Sequence, residues 1–295
     1  MGLLFMSSKL FYYARYVLVH LGFHDDFFRN LCYRYLQGKL KWSERNYVGA
    51  PPNNRLSSEG KFIWFLWQQG LDNAPELVKK CYESTIKYKE DYEVILLTKD
   101  NLHDYVELPD HVELLYKNKL MSEALYSDMI RLYLLINYGG IWRDATCFQT
   151  ECYPSYVKES DFFMFSCNLL FNKSKICCSS WFVKSQKRND ILVKTYNILC
   201  EYHLHHKMAI DYFLFHLVLT LVVRNDINCK EIWNKMPYVC NMNPHVFYFK
   251  WNMDYSERIY NHCFEQCFIH KLSWKYSENE INNKGNMLNY FLENE

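Results

Sequence analysis

The sequence predicts an α/β protein with a Rossmann-like, mostly parallel sheet and an N-terminal helical extension. Three observations carry that prediction. Lys61–Trp67 is a continuous apolar run of strand length, the pattern of a strand covered on both faces, as in a parallel sheet. Tyr92–Leu97 reads as a second strand, and a helical stretch opening at Pro75 lies between the two; strand, helix, strand is the repeating unit of an open parallel sheet. A third strand, Ile141–Arg143, follows a long apolar helix and two glycines. In such sheets ligands bind beyond the carboxyl ends of the strands, and Asp144 falls just past the third.

Residues 1–50 form a separate block. Apolar positions recur at helical spacing through Leu10, Tyr13, Val17 and Leu21, then Phe27, Leu31 and Tyr35, which predicts two helices packed on the main domain. Arg15, Arg29, Arg34, Lys39 and Lys41 add a basic face suited to peripheral contact with acidic lipid at the inner membrane face. Residues 51–60, with Pro51, Pro52, Asn53 and Asn54, have linker composition. Beyond them, Pro75 opens a helix running to about Tyr88, and short helices are expected near Asn101–Tyr105 and Asp110–Asn118. Ser122 caps a longer helix through Asn137 that Gly139 ends. Cys147–Thr150 is expected to continue the strand begun at Ile141. Phe162–Cys167 and Trp181–Val183 have strand character, and Asn189–His203 and Asp211–Val223 helix character. The Asn-rich tail from Asn282 is expected to form a short helix or a frayed end.

Composition bounds the function. A chain of 295 residues, 49% hydrophobic and 23% charged, can bury a real core. Its net charge of +1 gives nucleic acid no broad basic surface to bind. The aromatic share of 18% suits a protein that stacks rings on sugar C–H faces; a codon bias toward Tyr, Phe, Asn and Lys explains it equally. Twelve cysteines sit in apolar runs or in the vicinal pair Cys177–Cys178, with no secretory signal before them. That usage reads as reduced, cytoplasmic cysteine acting as a small hydrophobe. Cys263 and Cys267, with His262 and His270 nearby, lack the spacing of common closed zinc sites. The longest apolar stretch, Tyr212–Val223, is too short to span a bilayer.

The chemistry concentrates in Ser127–Thr146. Asp128 and Arg131 are three apart on a predicted helix and so share one face, with Ser127 a turn from Arg131. Nearly every other position from Ala124 to Ile136 is apolar, so a carboxylate and a guanidinium there must pair with each other or face a cleft. Gly139 and Gly140 permit a tight turn and a close approach of helix to strand. Asp144 at the strand end can hold a divalent cation, Mn2+ or Mg2+, that bridges a diphosphate; a plain turn carboxylate is the alternative. The planar fork of Arg131 can clamp a sugar hydroxyl or a phosphate oxygen. No G-x-G-x-x-G or P-loop lysine motif follows the first strand, which argues against a dehydrogenase or nucleotidyltransferase.

Ser127-Asp128-x-x-Arg131, then Leu134-Leu135-x-x-Tyr138-Gly139-Gly140-Ile141-Trp142-x-Asp144, resembles the DxD-type sugar-binding region of retaining glycosyltransferases. That group includes the yeast-type initiating mannosyltransferases and the glucosylating clostridial toxins. The closest likeness is to bacterial capsular polysaccharide synthesis proteins of the superfamily. It extends to Ile63-Trp64, Trp67-Gln68, Gly70, Ala74-Pro75, Val78, Cys81, Ser84 and Asn101 to Pro109. It also takes in Ser180-Trp181-Phe182, Asp211 to His216 and His270-Lys271-Leu272, and so covers roughly Lys61 to Lys275.

The resemblance implies a GT-A fold, with a nucleotide-sugar-binding core over residues 61–170 and an acceptor-side, C-terminal part of the same domain over 171–295. It implies a glycosyltransferase of hexosyltransferase type that retains anomeric configuration. The donor is a nucleoside diphosphate sugar and the acceptor an oligosaccharide or lipid-linked glycan. Trp67 would stack on the nucleobase, or serve as a core aromatic. Asp128 and Arg131, with Ser127 and Gly140 beside them, would hold the donor sugar. Asp144 matches the first acid of the motif, whereas the second acid is replaced by Thr146, a weak neutral ligand. The metal set would then be Asp144, Thr146 and His270, or a basic side chain, Lys271 or His270, would partly replace the cation. The other reading of His270 is a satisfied strand-end histidine, and Asp211 and His216 either shape the acceptor site or cap and pack. The expected mechanism is front-face transfer without a protein nucleophile, with Asp128, Arg131 and Asp144 carrying the chemistry. The loss of the second acid leaves a rival: a nucleotide-sugar-binding or glycan-binding member with little or no turnover.

Overall fold

The computed structural model describes residue 17 and residues 25–52, 61–167 and 175–294. The expected first helix, through Leu10, Tyr13 and Leu21 with Arg15, lies outside the described residues, as do Asn53 and Asn54 of the linker. The elements in chain order are α1 (Asp25–Gln37), β1 (Phe62–Leu66), α2 (Glu76–Lys87), β2 (Glu93–Leu97), α3 (Asp110–Lys117), α4 (Glu123–Asn137), β3 (Gly140–Arg143), β4 (Cys147–Gln149), α5 (Ser155–Lys158) and β5 (Phe162–Ser166). They continue with β6 (Cys178–Ser185), α6 (Asp190–His205), α7 (Leu214–Asn225), α8 (Ile227–Lys235), α9 (Val246–Lys250), α10 (Glu257–Phe264), β7 (Ile269–Lys271), α11 (Glu278–Asn282) and α12 (Met287–Asn294).

Five strands form one sheet in the order β2–β1–β3–β6–β5. β1 pairs in parallel with both β2 and β3, while β6 is antiparallel to β3 and to β5. Four strands therefore share one direction and β6 alone opposes them, which is the mostly parallel α/β sheet the sequence predicts. The continuous apolar character of β1 follows from its two buried faces. Phe62 and Trp64 enter the main helical core with residues of α4, α6 and α7, and Ile63 and Phe65 enter smaller clusters on the other side of the pleat. From β1 the chain leaves toward β2, and β3 returns on β1's other flank. A crevice at the carboxyl ends of β1 and β3 is the result, at the kind of switch point where open α/β sheets bind ligands.

The α4–β3 turn is specified locally. Ser122 Oγ accepts the Leu125 N–H at 3.2 Å as the N-cap of α4. Gly139 ends the helix with φ of +71°, and a Cβ there would come within 3.1 Å of the Ser185 carbonyl oxygen, so the turn needs glycine on both counts. Its carbonyl accepts the indole N–H of buried Trp64 at 2.8 Å, which satisfies the one polar group of that side chain.

Elsewhere the fold departs from expectation. In α1 the buried stripe is Phe28, Cys32, Tyr33 and Leu36, while Phe27 is 54% exposed. The helix is turned by about one position relative to the Phe27–Leu31–Tyr35 stripe, and Arg29 faces inward, 3.8 Å from Asp211 and over the ring of Phe213. Part of the expected basic face thus seats the helix on the domain. Cys147–Gln149 does not continue β3: the chain turns at Asp144–Thr146, and β4 pairs antiparallel with β7, Cys147 opposite Lys271. The tail forms a short helix rather than a frayed end, because Met287, Leu288 and Phe291 of α12 are buried with Leu77, Cys81 and Phe148. No disulfide joins any of the twelve cysteines. Among the described residues no helix is long and apolar enough to cross a membrane.

Candidate active site

The crevice widens into an open cleft of about 600 Å³. Its walls come from the end of β1, the first turns of α4 and α7, the Asp144–Thr146 turn and the segment following β7. Arg131 lies at its base with 4% of its side chain exposed. The i,i+3 spacing on α4 brings Asp128 Oδ1 to 2.5 Å from Arg131 Nη1, and the α4–β3 turn brings Asp144 Oδ1 to 2.9 Å from Nη2. The guanidinium lies 4.8 Å over the Trp142 ring and 5.9 Å from that of Phe215, so cation–π contact restrains its plane.

Asp144 is held from every side. Trp142 donates its indole N–H to Oδ1 at 3.1 Å, and the Asp144 backbone N–H donates to the Trp181 carbonyl at 2.8 Å. The Lys271 ammonium lies 3.1 Å from Oδ2 and donates to Thr146 Oγ1 at 2.6 Å. The β4–β7 ladder delivers that lysine, and Leu272 N–H donating to the Thr146 carbonyl at 2.8 Å extends the lock.

The two carboxylates differ in proton affinity. Burial pushes the Asp128 carboxyl up to about 6; Arg131 opposes the rise and the charge of Asp144 adds to it. At Asp144 burial also acts upward, but Lys271 and Arg131 together outweigh it and hold the carboxyl below its ordinary value. Burial disfavours the Lys271 ammonium, yet Asp144 more than compensates and its pKa is raised. Asp144 and Lys271 therefore form a charged pair at neutral pH, with Asp128 the site's proton-sensitive carboxyl.

Of the residues singled out in the sequence, Trp67, Ser127, Asp128, Arg131, Asp144, Thr146 and Lys271 line this cleft. Trp67 meets Trp274 edge to face at 5.9 Å between ring centres, and its buried indole nitrogen has no hydrogen-bond partner. Gly140, with φ of 95°, stands at the opposite end of β3 from Asp144. It shapes the turn and does not reach the cleft. His270 does not reach it either: alternation along β7 turns it away from Lys271. Its Nε2 lies 3.2 Å from Thr150 Oγ1, its ring packs on Phe264, and burial lowers its pKa to about 4. Asp211 accepts the Phe213 N–H at 2.7 Å ahead of α7, a capping role. His216 does line the cleft; burial first, then Arg131, lowers its pKa to about 3, and its Nδ1 has no partner. Trp274 and Lys275, also on the wall, carry no sequence signal beyond their place just after Lys271.

These residues do not fit a divalent cation. Such an ion needs several free oxygen ligands. Both oxygens of Asp144 are engaged, Asp128 Oδ1 is tied to Arg131, Thr146 Oγ1 accepts from Lys271, and His270 faces away. Among the described residues no cluster of three or more His, Cys, Asp and Glu is placed to hold a metal.

Residues 24–291 match the capsular polysaccharide synthesis protein family. The chain belongs to that family. As a capsular polysaccharide synthesis protein it is matched from α1 into α12, so every cleft residue named above lies within the family's span. Among solved structures, the PaToxG glycosyltransferase is similar over 91% of this chain and 95% of that one, at 12% identity and a TM-score of 0.39. No curated protein matches the sequence.

Proposed function

We propose that the chain is a GT-A-type glycosyltransferase that moves a sugar from a nucleoside diphosphate sugar to a glycan acceptor, with retention, in the synthesis of capsular or other surface polysaccharide. One observation carries this reading: a single buried guanidinium joins Asp128 of α4 to Asp144 at the end of β3, at the floor of an open cleft. A rigid, charged, partly desolvated group of acceptors and donors is what orients a polyhydroxylated ring and stabilises charge as it develops. Membership of a capsule-synthesis family supports the same class of substrate.

Asp128 and Arg131 hold sugar hydroxyls, Lys271 and Lys275 face the diphosphate, and Trp67 with Trp274 receives the base. His216, neutral at pH 7, offers an imidazole to the acceptor side. Both carboxylates, buried Asp128 and half-buried Asp144, are bonded to Arg131, which favours front-face transfer over attack by a protein nucleophile. Thr146, in place of a second acid, supports a second reading in which donor is bound without turnover.

A thermal-shift panel of UDP-, GDP-, CDP- and ADP-sugars tests the donor assignment, since a ligand that binds the folded state raises its melting temperature. Transfer to an oligosaccharide panel, with the product anomer read by NMR, tests turnover and retention. If no activated sugar shifts the transition, the reading fails.

A further inference from the structure

We infer that Lys271 is a built-in cation for the donor diphosphate, and that donor binding by this cleft is independent of divalent metal. This role presupposes the glycosyltransferase reading proposed above.

The Lys271 ammonium lies between Asp144 Oδ2 and Thr146 Oγ1, at 3.1 and 2.6 Å, and so takes up the oxygens that a divalent cation would need as ligands. Two changes relative to a two-acid site are complementary. A pair of carboxylates requires a dication for neutrality, whereas one carboxylate beside a neutral hydroxyl is balanced by a monocation. Thr146 supplies the hydroxyl and Lys271 the charge. An ammonium has three N–H donors; Asp144 and Thr146 take two, which leaves one for a ligand in the cleft that Lys271 lines.

The position is built by the backbone. Lys271 stands opposite Cys147 in the β4–β7 ladder, directly after the Asp144–Thr146 turn, and Leu272 N–H donates to the Thr146 carbonyl. Strand alternation then aims Lys271 into the cleft and His270 out of it. A lysine so placed turns its remaining N–H donor to the cleft, and Lys275 in the same wall supplies the further charge a diphosphate needs.

The test uses the 295-residue chain with UDP, GDP, CDP, ADP and inorganic pyrophosphate as probes. Binding is measured by calorimetry in EDTA and again in Mn2+, with bound Mn2+ counted by electron paramagnetic resonance. At least one probe is expected to bind in EDTA, with Mn2+ changing its Kd by less than about threefold. Lys271→Gln, its fold checked by circular dichroism, is expected to weaken that binding by about tenfold or more, the loss of one charge-assisted contact. Binding that requires Mn2+, with one ion retained per chain, overturns the inference and leaves the donor assignment standing. Lys271→Gln binding as well as the parent also overturns it. If no probe binds under either condition, both readings fall. Should Lys271→Gln not fold, the EDTA and Mn2+ comparison on the parent chain still decides.

Discussion

Arg131 and Asp144 are joined at 2.9 Å across the α4–β3 turn, and the same guanidinium holds Asp128 from its own helix. One cation thus ties two carboxylates that belong to different elements. Arg131→Met is expected to destabilise the fold by about 3–5 kcal/mol, because it leaves the buried Asp128 carboxylate without its partner, while Asp144 keeps Lys271 and Trp142. Arg131→Lys keeps the charge but has no planar fork with which to serve both acids. It is expected to fold and to bind donor about tenfold or more weakly. Urea denaturation and calorimetry of the two variants separate these effects; equal stability of Arg131→Met and the parent would refute the tie.

Asp144→Asn retains an oxygen for Arg131 and Trp142 while removing the anion. The fold should persist with a lowered melting temperature, because Lys271 loses its anion, whereas transfer should fall by about 100-fold or more, in the range seen when one preorganised electrostatic group is lost. The measurement is initial rate at saturating donor alongside circular dichroism. Full activity in this variant would rule Asp144 out of the chemistry.

Trp274 is 42% exposed and so contributes little to the core, yet it faces Trp67 across the cleft wall. If the two rings receive the nucleobase, Trp274→Ala should raise the Kd for a nucleoside diphosphate by about 5- to 100-fold, the value of one base–aromatic stack. Binding of pyrophosphate, which has no base, should not change. A parallel loss for both probes would show that Trp274 acts through the fold instead.

Features coded by near neighbours were legible in the sequence. Ser122 announces the start of α4, Gly139 its end, and the i,i+3 placement of Asp128 and Arg131 survives intact because a helix sets it alone. The stripe on α1 lies one position from the expected one because Phe27 and Phe28 are both aromatic, and only docking decides which is buried. The Asp144–Lys271 contact had no local signal: it depends on β4 leaving the main sheet to pair with β7, a ladder between distant segments. Alternation guarantees that His270 and Lys271 point oppositely, but only that ladder decides which of them meets the cleft. Trp274 and Lys275 enter the wall by the same route.

His270 gives a pH prediction of definite sign. Burial lowers its pKa from 6.5 to about 4, so the folded state keeps it neutral while the unfolded chain takes up a proton below about 6.5. Stability is therefore fully present above that value and is lost as pH falls toward 4, with a slope of up to about 1.4 kcal/mol per pH unit for each such group. His203, lowered to about 4, and His216, lowered to about 3, act in the same direction. His270→Gln can still hydrogen-bond Thr150 and does not titrate. Its unfolding free energy should fall less steeply between pH 6.5 and 4.5 than that of the parent chain, by the contribution of one group. Because the side chain lies on the far face of β7 from Lys271, nucleoside diphosphate binding at pH 7 should stay within about threefold of the parent, a difference of under 1 kcal/mol. Identical pH slopes would mean that the imidazole is protonated in the folded state. A loss of binding beyond that margin, with the fold intact, would mean that it does reach the donor.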